Sequence, residues 1–457
     1  MSKVLLIYPY FRPPRDRSVF RFPPLGISYL ASSLIAEGYE VQLLDCTFMN
    51  KNDALERALN ARAEVVGIYC MVTMLEDCLW LARQLRTSSK LLVAGGPLPT
   101  CDPLTFLADF DVVVQGEGER TLVELIKAVE NGNDLALVAG IVTRRVIENR
   151  EFSNDLSISS PKRPFNKNLD SLPFPARHLL PNKDYIRFGQ KQYGYSITTV
   201  MSTRGCPYEC EFCSNVIFGG SYRERSAVNV VDEIEAALSL GYDRISFADD
   251  VFTMHQRRVV EICEEILKRN LHFFWECLAR VDAVDDAAYN RMYQAGCRRV
   301  YFGIESGDDS ILKLMKKKIT VAQARHAVLA AKHAGLEVGA FFILFYPGET
   351  NQTVLNTLHF TASLPVDYLG LTMPYPLPGT ALYERVKGQI KREWHPAESV
   401  FGSHVLIYNA DFSEAKMWLG IIKGHAQFQI KRRLGKLAPM VLKVFENSTD
   451  WLLTHVR

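Results

Sequence analysis

The sequence predicts an α/β chain made of two successive parallel strand–helix arrays followed by a small helical region. Three observations support this. Over residues 1–147, short apolar runs alternate with amphipathic stretches, the rhythm of βαβ units. From Ser196 to about Thr380 a second alternation runs at roughly 30 residues per unit, the size of one crossover. Beyond Leu382 the pattern is helical. The first array reads as an open Rossmann-like sheet with helices on both faces. The second, over 196–381, reads as a partial (β/α)6 barrel. Residues 148–195 read as a linker and 382–457 as a helical C-terminal region.

The first array places strands at Lys3–Pro9, Glu40–Asp45, Glu64–Cys70, Lys90–Gly96 and Asp111–Gly116, with helices such as Leu25–Glu37 and Leu75–Arg86 between them. Several strands end in small residues, so a large ligand can approach the backbone at their carboxyl ends. The polar stretch Glu148–Asn168, leading into Leu172-Pro173-Phe174-Pro175, has no period. The second array places strands at Ser196–Ser202, Arg244–Ala248, His272–Leu278, Arg298–Ile304, Glu337–Leu344 and Tyr368–Met373. Barrel chemistry belongs at their carboxyl ends. The tail is mildly basic at Lys431-Arg432-Arg433 and reads as a solvated helix face.

Of 457 residues, 48% are hydrophobic and 23% charged, which excludes a disordered chain. A net charge of +2 argues against a general nucleic-acid binder. No run of about 18 apolar residues predicts a membrane span, and the amino terminus reads as a core strand, not a signal peptide. A cytoplasmic location is expected. The ten cysteines therefore suggest metal or catalytic chemistry before disulfides.

Three cysteines cluster in Thr203-Arg204-Gly205-Cys206-Pro207-Tyr208-Glu209-Cys210-Glu211-Phe212-Cys213, directly after the first strand of the second array. Three thiolates can hold three corners of a cubane iron–sulfur cluster and leave one iron open. Structural zinc usually needs four ligands, and His255 and Cys263 lack the paired spacing to complete such a set. The other seven, Cys46, Cys70, Cys78, Cys101, Cys263, Cys277 and Cys297, read mostly as small core residues.

This motif resembles that of the radical SAM superfamily over about Ser196–Thr380. The resemblance implies a 4Fe–4S cluster on Cys206, Cys210 and Cys213, with S-adenosylmethionine (SAM) chelating the open iron and yielding a 5′-deoxyadenosyl radical. It places Phe212 near the adenine, and Asp249 or Asp250 at the SAM amino group. It puts Arg280 at the SAM carboxylate, and Glu305 with Ser306 at the ribose. Read without it, Asp249 or Asp250 caps a helix and Arg280 pairs with Asp282.

The first array resembles the cobalamin-binding domain that precedes many radical SAM enzymes. The matching segments are Pro23–Ala31, Glu37–Asp45, Val93–Thr100 and Gly116–Glu119, together with Tyr346–Thr350 and Pro378–Thr380 further on. All ten histidines lie at His178 or later, so this domain offers cobalt no imidazole. The resemblance implies cobalamin along Gly95, Gly96, Gly116, Glu117 and Gly118, with Tyr69, Cys70, Thr73 and Met74 as candidates beneath cobalt. Arg12, Arg15, Arg17 and Arg21 read as solvated or as lining the corrin or the substrate entrance.

Together these resemblances imply a cobalamin-dependent radical SAM C-methyltransferase with an external electron donor such as ferredoxin or flavodoxin. The acceptor is either a metabolite or a protein side chain. Enzymes that methylate methyl-coenzyme M reductase, at a glutamine among other residues, are similar in size and motif set. Tyr346, Tyr375 and the basic tail are candidate peptide contacts. The alternatives are a cyclase or ring-rearranging enzyme without methyl transfer, and a non-catalytic cobalamin sensor.

Overall fold

In the computed structural model, residues 1–11, 21–144, 157–391 and 407–456 are described. Seven strands form the first sheet: β1 Lys3–Tyr8, β2 Glu40–Asp45, β3 Val65–Tyr69, β4 Leu91–Gly95, β5 Val112–Val114, β6 Ile141–Arg144 and β7 Ser157–Ser159. Their order is β2-β1-β3-β4-β5-β6-β7. The first five are parallel. Alternate residues of these strands enter two separate cores. Leu5, Ile7, Val66, Ile68 and Val113 pack on one face, and Val4, Leu6, Val65, Val93 and Val112 on the other. Helices therefore cover both faces, as such continuous apolar strands require.

Strand order reverses between β2-β1 and β3, so a crevice opens at the carboxyl ends of β1 and β3. The last two strands correct the sequence reading. β6 and β7 are antiparallel, and β7 lies inside the stretch read as linker. A three-residue edge strand within a polar segment carries no period to detect. The same stretch also carries the helix Asn182–Tyr193.

The second sheet contains β8 Ile197–Val200, β11 Arg244–Phe247, β12 Phe274–Ala279, β13 Cys297–Glu305, β14 Glu337–Ile343 and β15 Tyr368–Thr372. All are parallel, in the order β15-β14-β13-β12-β11-β8. The edges β8 and β15 do not pair, which makes this a partial barrel. Its helices pack on the outer face around one core that includes Val200, Phe247, Trp275, Phe302 and Phe342. A two-residue hairpin, β9 Thr203–Arg204 with β10 Arg223–Glu224, leaves the carboxyl side of β8. The chain ends in helices Glu414–Leu434 and Ala438–His455. Among the described residues no helix is long and apolar enough to cross a membrane.

Candidate functional site

The hairpin β9–β10 brackets the loop that carries the cysteines. Gly205 opens that loop with φ +85°, and a Cβ there would lie 2.3 Å from the Ser221 carbonyl oxygen, so the turn requires glycine. The Cys206 N–H donates to the Gly219 carbonyl at 3.3 Å, and the Asn215 amide donates to the Cys206 carbonyl at 2.9 Å. Glu211 ties the middle of the loop to the barrel. Its N–H donates to the Met315 carbonyl at 3.0 Å, and its carboxylate accepts from the Tyr346 hydroxyl at 2.8 Å and pairs with Arg385 at 3.1 Å. The three thiols are thus held by a loop anchored at its ends and at its centre.

All ten cysteines are free, and all but Cys101 of those outside the motif are buried. Burial raises the Cys206 and Cys210 thiols above their ordinary value, while Arg280 pulls both back and Lys317 pulls back Cys210. Burial and the two neighbouring thiols push Cys213 up to about 12. Among the described residues no three His, Cys, Asp or Glu side chains converge as ligands of a single ion.

Around the loop, several expected residues have other employment. Asp249 is buried, and its carboxylate accepts from the Ser202 N–H at 2.6 Å, the Thr203 N–H at 2.9 Å and the Ser202 hydroxyl. It pins β8 to β9. Asp250, by contrast, is exposed on the cysteine side and accepts from the Gly205 N–H. Arg280 makes a two-pronged pair with Asp282 at 2.9 and 3.1 Å, and its guanidinium lies 3.5 Å from the ring of Tyr208, between the first two cysteines. The local ion pair is therefore present, and it supports the loop. Ser306 is fully buried, 3.0 Å from the Thr357 hydroxyl and accepting from the Asp308 N–H, so it faces the fold and not the site. Phe212 is half-buried, 6.4 Å from the Tyr346 ring.

Glu305 sits at φ +74°, where β13 shifts register against β14. Its carboxylate accepts from the Lys317 ammonium at 2.9 Å, both groups buried. A Cβ on Gly303 would stand 2.5 Å from that carboxylate, so the glycine makes room for the pair. Neither Lys317 nor Glu211 was anticipated. Lys317 is the middle of three successive lysines, Lys316-Lys317-Lys318. Left-handed backbone at Lys316 and Lys318 turns the middle lysine inward.

On the other side of the loop is a cavity of about 410 Å³ at the carboxyl ends of β1, β3, β4 and β5. Gly95, Gly96, Gly116, Glu117, Gly118 and Tyr69 line it from the first sheet. Met201, Ile217 and Phe218 line it from the cysteine unit. Gly96 has φ +114°, and a Cβ there would meet the Cys70 carbonyl at 2.6 Å. No histidine lines the cavity. An apolar, glycine-walled space of this kind fits the face of a corrin ring. Of the groups considered for cobalt, only Tyr69 reaches it. Met74 and Cys70 are buried in the core, and Thr73 is outside the lining. Arg12, Arg15 and Arg17 lie outside the described residues; Arg21 packs on the Phe188 ring at 4.6 Å.

Glu117 is committed to a buried ion network. It pairs with Arg204 at 3.0 Å and Arg223 at 2.7 Å, while Arg204 also pairs with Glu119 at 2.6 Å. Arg204 immediately precedes Gly205 and Cys206, so one side chain links the cysteine loop to the glycine loop of the cavity. A second buried network repeats the link: Glu233 pairs with Arg177 and Arg225 and accepts from the Tyr29 hydroxyl of helix Leu25–Ala36.

The radical SAM superfamily model matches residues 200–361, and the B12 binding domain model matches residues 15–126. The chain is 33% identical over 398 residues to a Pyrococcus horikoshii protein named uncharacterized methyltransferase PH0819, covering 84% of this chain and 83% of that one. It is 25% identical to the anaerobic magnesium-protoporphyrin IX monomethyl ester cyclase of Rubrivivax gelatinosus, over 85% of this chain and 71% of that one. The fold is similar to the radical S-adenosylmethionine methyltransferase TsrM of Kitasatospora setae, solved with cobalamin and a 4Fe–4S cluster bound. That likeness has a TM-score of 0.71 at 20% identity, over 85% of this chain and 75% of that one.

Proposed function

This chain belongs to the cobalamin-dependent radical SAM methyltransferases, and from that premise we propose that it methylates an unactivated carbon of an acceptor admitted between the cysteine loop and the glycine-walled cavity. Bound together, cluster, SAM and cobalamin supply a hydrogen-abstracting radical and a methyl donor. The observation that carries the proposal is the shared wall. Ile217 and Phe218, four and five residues past Cys213, line the same cavity as Gly95 and Gly96. A radical centre and a methyl donor held by adjoining segments meet without diffusing, which is the positioning such a reaction demands.

In this reading Cys206, Cys210 and Cys213 hold the cluster, and Arg280 and Lys317 offset the negative charge gathered there. Asp250, not Asp249, faces the SAM amino group, because Asp249 already accepts three hydrogen bonds. Tyr69 and the Gly95–Gly96 and Gly116–Gly118 loops would hold the corrin, and no histidine of the cavity lining would ligate it. The barrel's concave wall leaves Leu278 and Phe341 about 40% exposed, which suits an acceptor with an apolar surface. Tyr346 is fully buried and gives no support to a peptide acceptor.

The test is anaerobic incubation of the cluster- and cobalamin-loaded chain with SAM, a low-potential reductant and candidate acceptors, followed by intact-mass and fragment analysis. The expected result is one added methylene on the acceptor, with S-adenosylhomocysteine and 5′-deoxyadenosine, the acceptor methylation and the 5′-deoxyadenosine being abolished by Cys210→Ala. Turnover of an acceptor with 5′-deoxyadenosine but no S-adenosylhomocysteine assigns the chain instead to cyclisation or rearrangement.

A further inference from the structure

The terminal helix Ala438–His455 buries Ala438, Leu442 and Leu453 against the protein and carries a second apolar stripe outward. Its acidic residues turn inward: Glu446 accepts from the Gln427 amide at 2.7 Å, and Asp450 pairs with Lys423 and with His359 at 2.9 Å. Thr449 also faces inward, accepting from Lys423 at 2.6 Å. The opposite face is mainly apolar, interrupted by the exposed Asn447 and Ser448. Leu437 is 64% exposed, Met440 70%, Val444 66% and Trp451 63%, and their spacing sets them on one stripe of the helix. His455 continues the stripe, its ring stacked on Trp451 at 4.6 Å.

The charges that remain outward are positive. Lys443 is exposed on the helix, and Arg432 and Arg433 are exposed at the end of the preceding one. Over 432–455 the two carboxylates are both turned into the protein, so the outer surface joins a Trp-containing apolar stripe to exposed cations. That combination is the signature of a helix lying in a membrane interface.

We propose that this helix docks the protein onto an anionic bilayer, with the Leu437–Trp451 stripe in the headgroup boundary and Arg432, Arg433 and Lys443 against lipid phosphates. Its length and composition suit lying on a membrane and not crossing one. The docking is independent of the reaction proposed above.

The test is flotation of the cofactor-loaded full chain with vesicles of phosphatidylcholine alone or mixed with phosphatidylglycerol. The expected result is binding that strengthens with phosphatidylglycerol, weakens with salt, and disappears in the Met440→Asp/Trp451→Asp double variant. Arg432→Gln and Arg433→Gln, which leave the stripe intact, should each lower vesicle affinity by about five-fold. Helical content and bound cobalamin should match the parent in every variant, since none of these side chains enters the core. Absence of binding to phosphatidylglycerol vesicles overturns the proposal, and so does undiminished binding of the double variant. A parent that is dimeric by light scattering and becomes monomeric in the double variant, without flotation, overturns it in favour of a second copy.

Discussion

Glu349, in the turn after β14, is nearly fully buried. One carboxylate oxygen accepts from the Tyr346 N–H at 2.8 Å and the other has no hydrogen-bond partner. Burial raises its pKa to about 8. Between the ordinary carboxylate range and that value, the folded chain keeps a proton that the unfolded chain has lost. The stability this supplies is full below the unfolded pKa and is lost as pH rises through the folded one. Glu349→Gln keeps the shape and cannot ionise. Its melting temperature should rise relative to the parent between about pH 6 and 9, and the two should converge near pH 5, as calorimetry can measure. A constant difference across that range would mean that Glu349 is ionised in the fold. At this scale the sequence shows what is close in the chain, such as the loop spacing of Cys206, Cys210 and Cys213. It was opaque where a role depends on contact across strands. The stretch from Asp249 to Asp250 shows why: adjacent carboxylates alternate between the two sides of the chain, and which one turns to the cysteines is set by the pairing of Asp249 with Ser202 and Thr203.

At the scale of elements, the parallel strands were legible because each buried strand is a nearly unbroken apolar run. β7 was not, because Ser157–Ser159 pairs at an edge within a polar stretch. Lys431, read as part of a solvated face, instead donates to the Ala362 and Leu364 carbonyls at 2.7 and 2.8 Å and caps the helix Asn351–Ser363. β9 is two residues long, yet its Arg204 carries the link between the cysteine loop and Glu117 and Glu119. Removing one member of such a buried network leaves uncompensated charge, at a cost of roughly 3–5 kcal/mol. Arg204→Met should therefore lower the melting temperature. It should also weaken cobalamin retention on gel filtration while iron uptake by the chain is kept. Unchanged retention would separate the ion network from the cavity.

Across the whole molecule, the first sheet's crevice and the barrel's cysteine loop line one cavity, and two buried ion networks that adjoin at Tyr29 hold them together. This placement was only partly visible in the sequence, where the two motif sets occur in order but nothing states that Phe218 reaches the wall of Gly95. The arrangement explains why one chain carries the determinants of both cofactors: the family's chemistry needs a radical and a methyl donor within one enclosure. The most direct measurement supplies the cluster- and cobalamin-loaded protein, under strict anaerobiosis and a low-potential reductant, with SAM deuterated on its methyl group. The account predicts that the labelled methyl appears on enzyme-bound cobalamin with an equal amount of S-adenosylhomocysteine, and that the same protein also forms 5′-deoxyadenosine. Formation of 5′-deoxyadenosine with no label on cobalamin would contradict it.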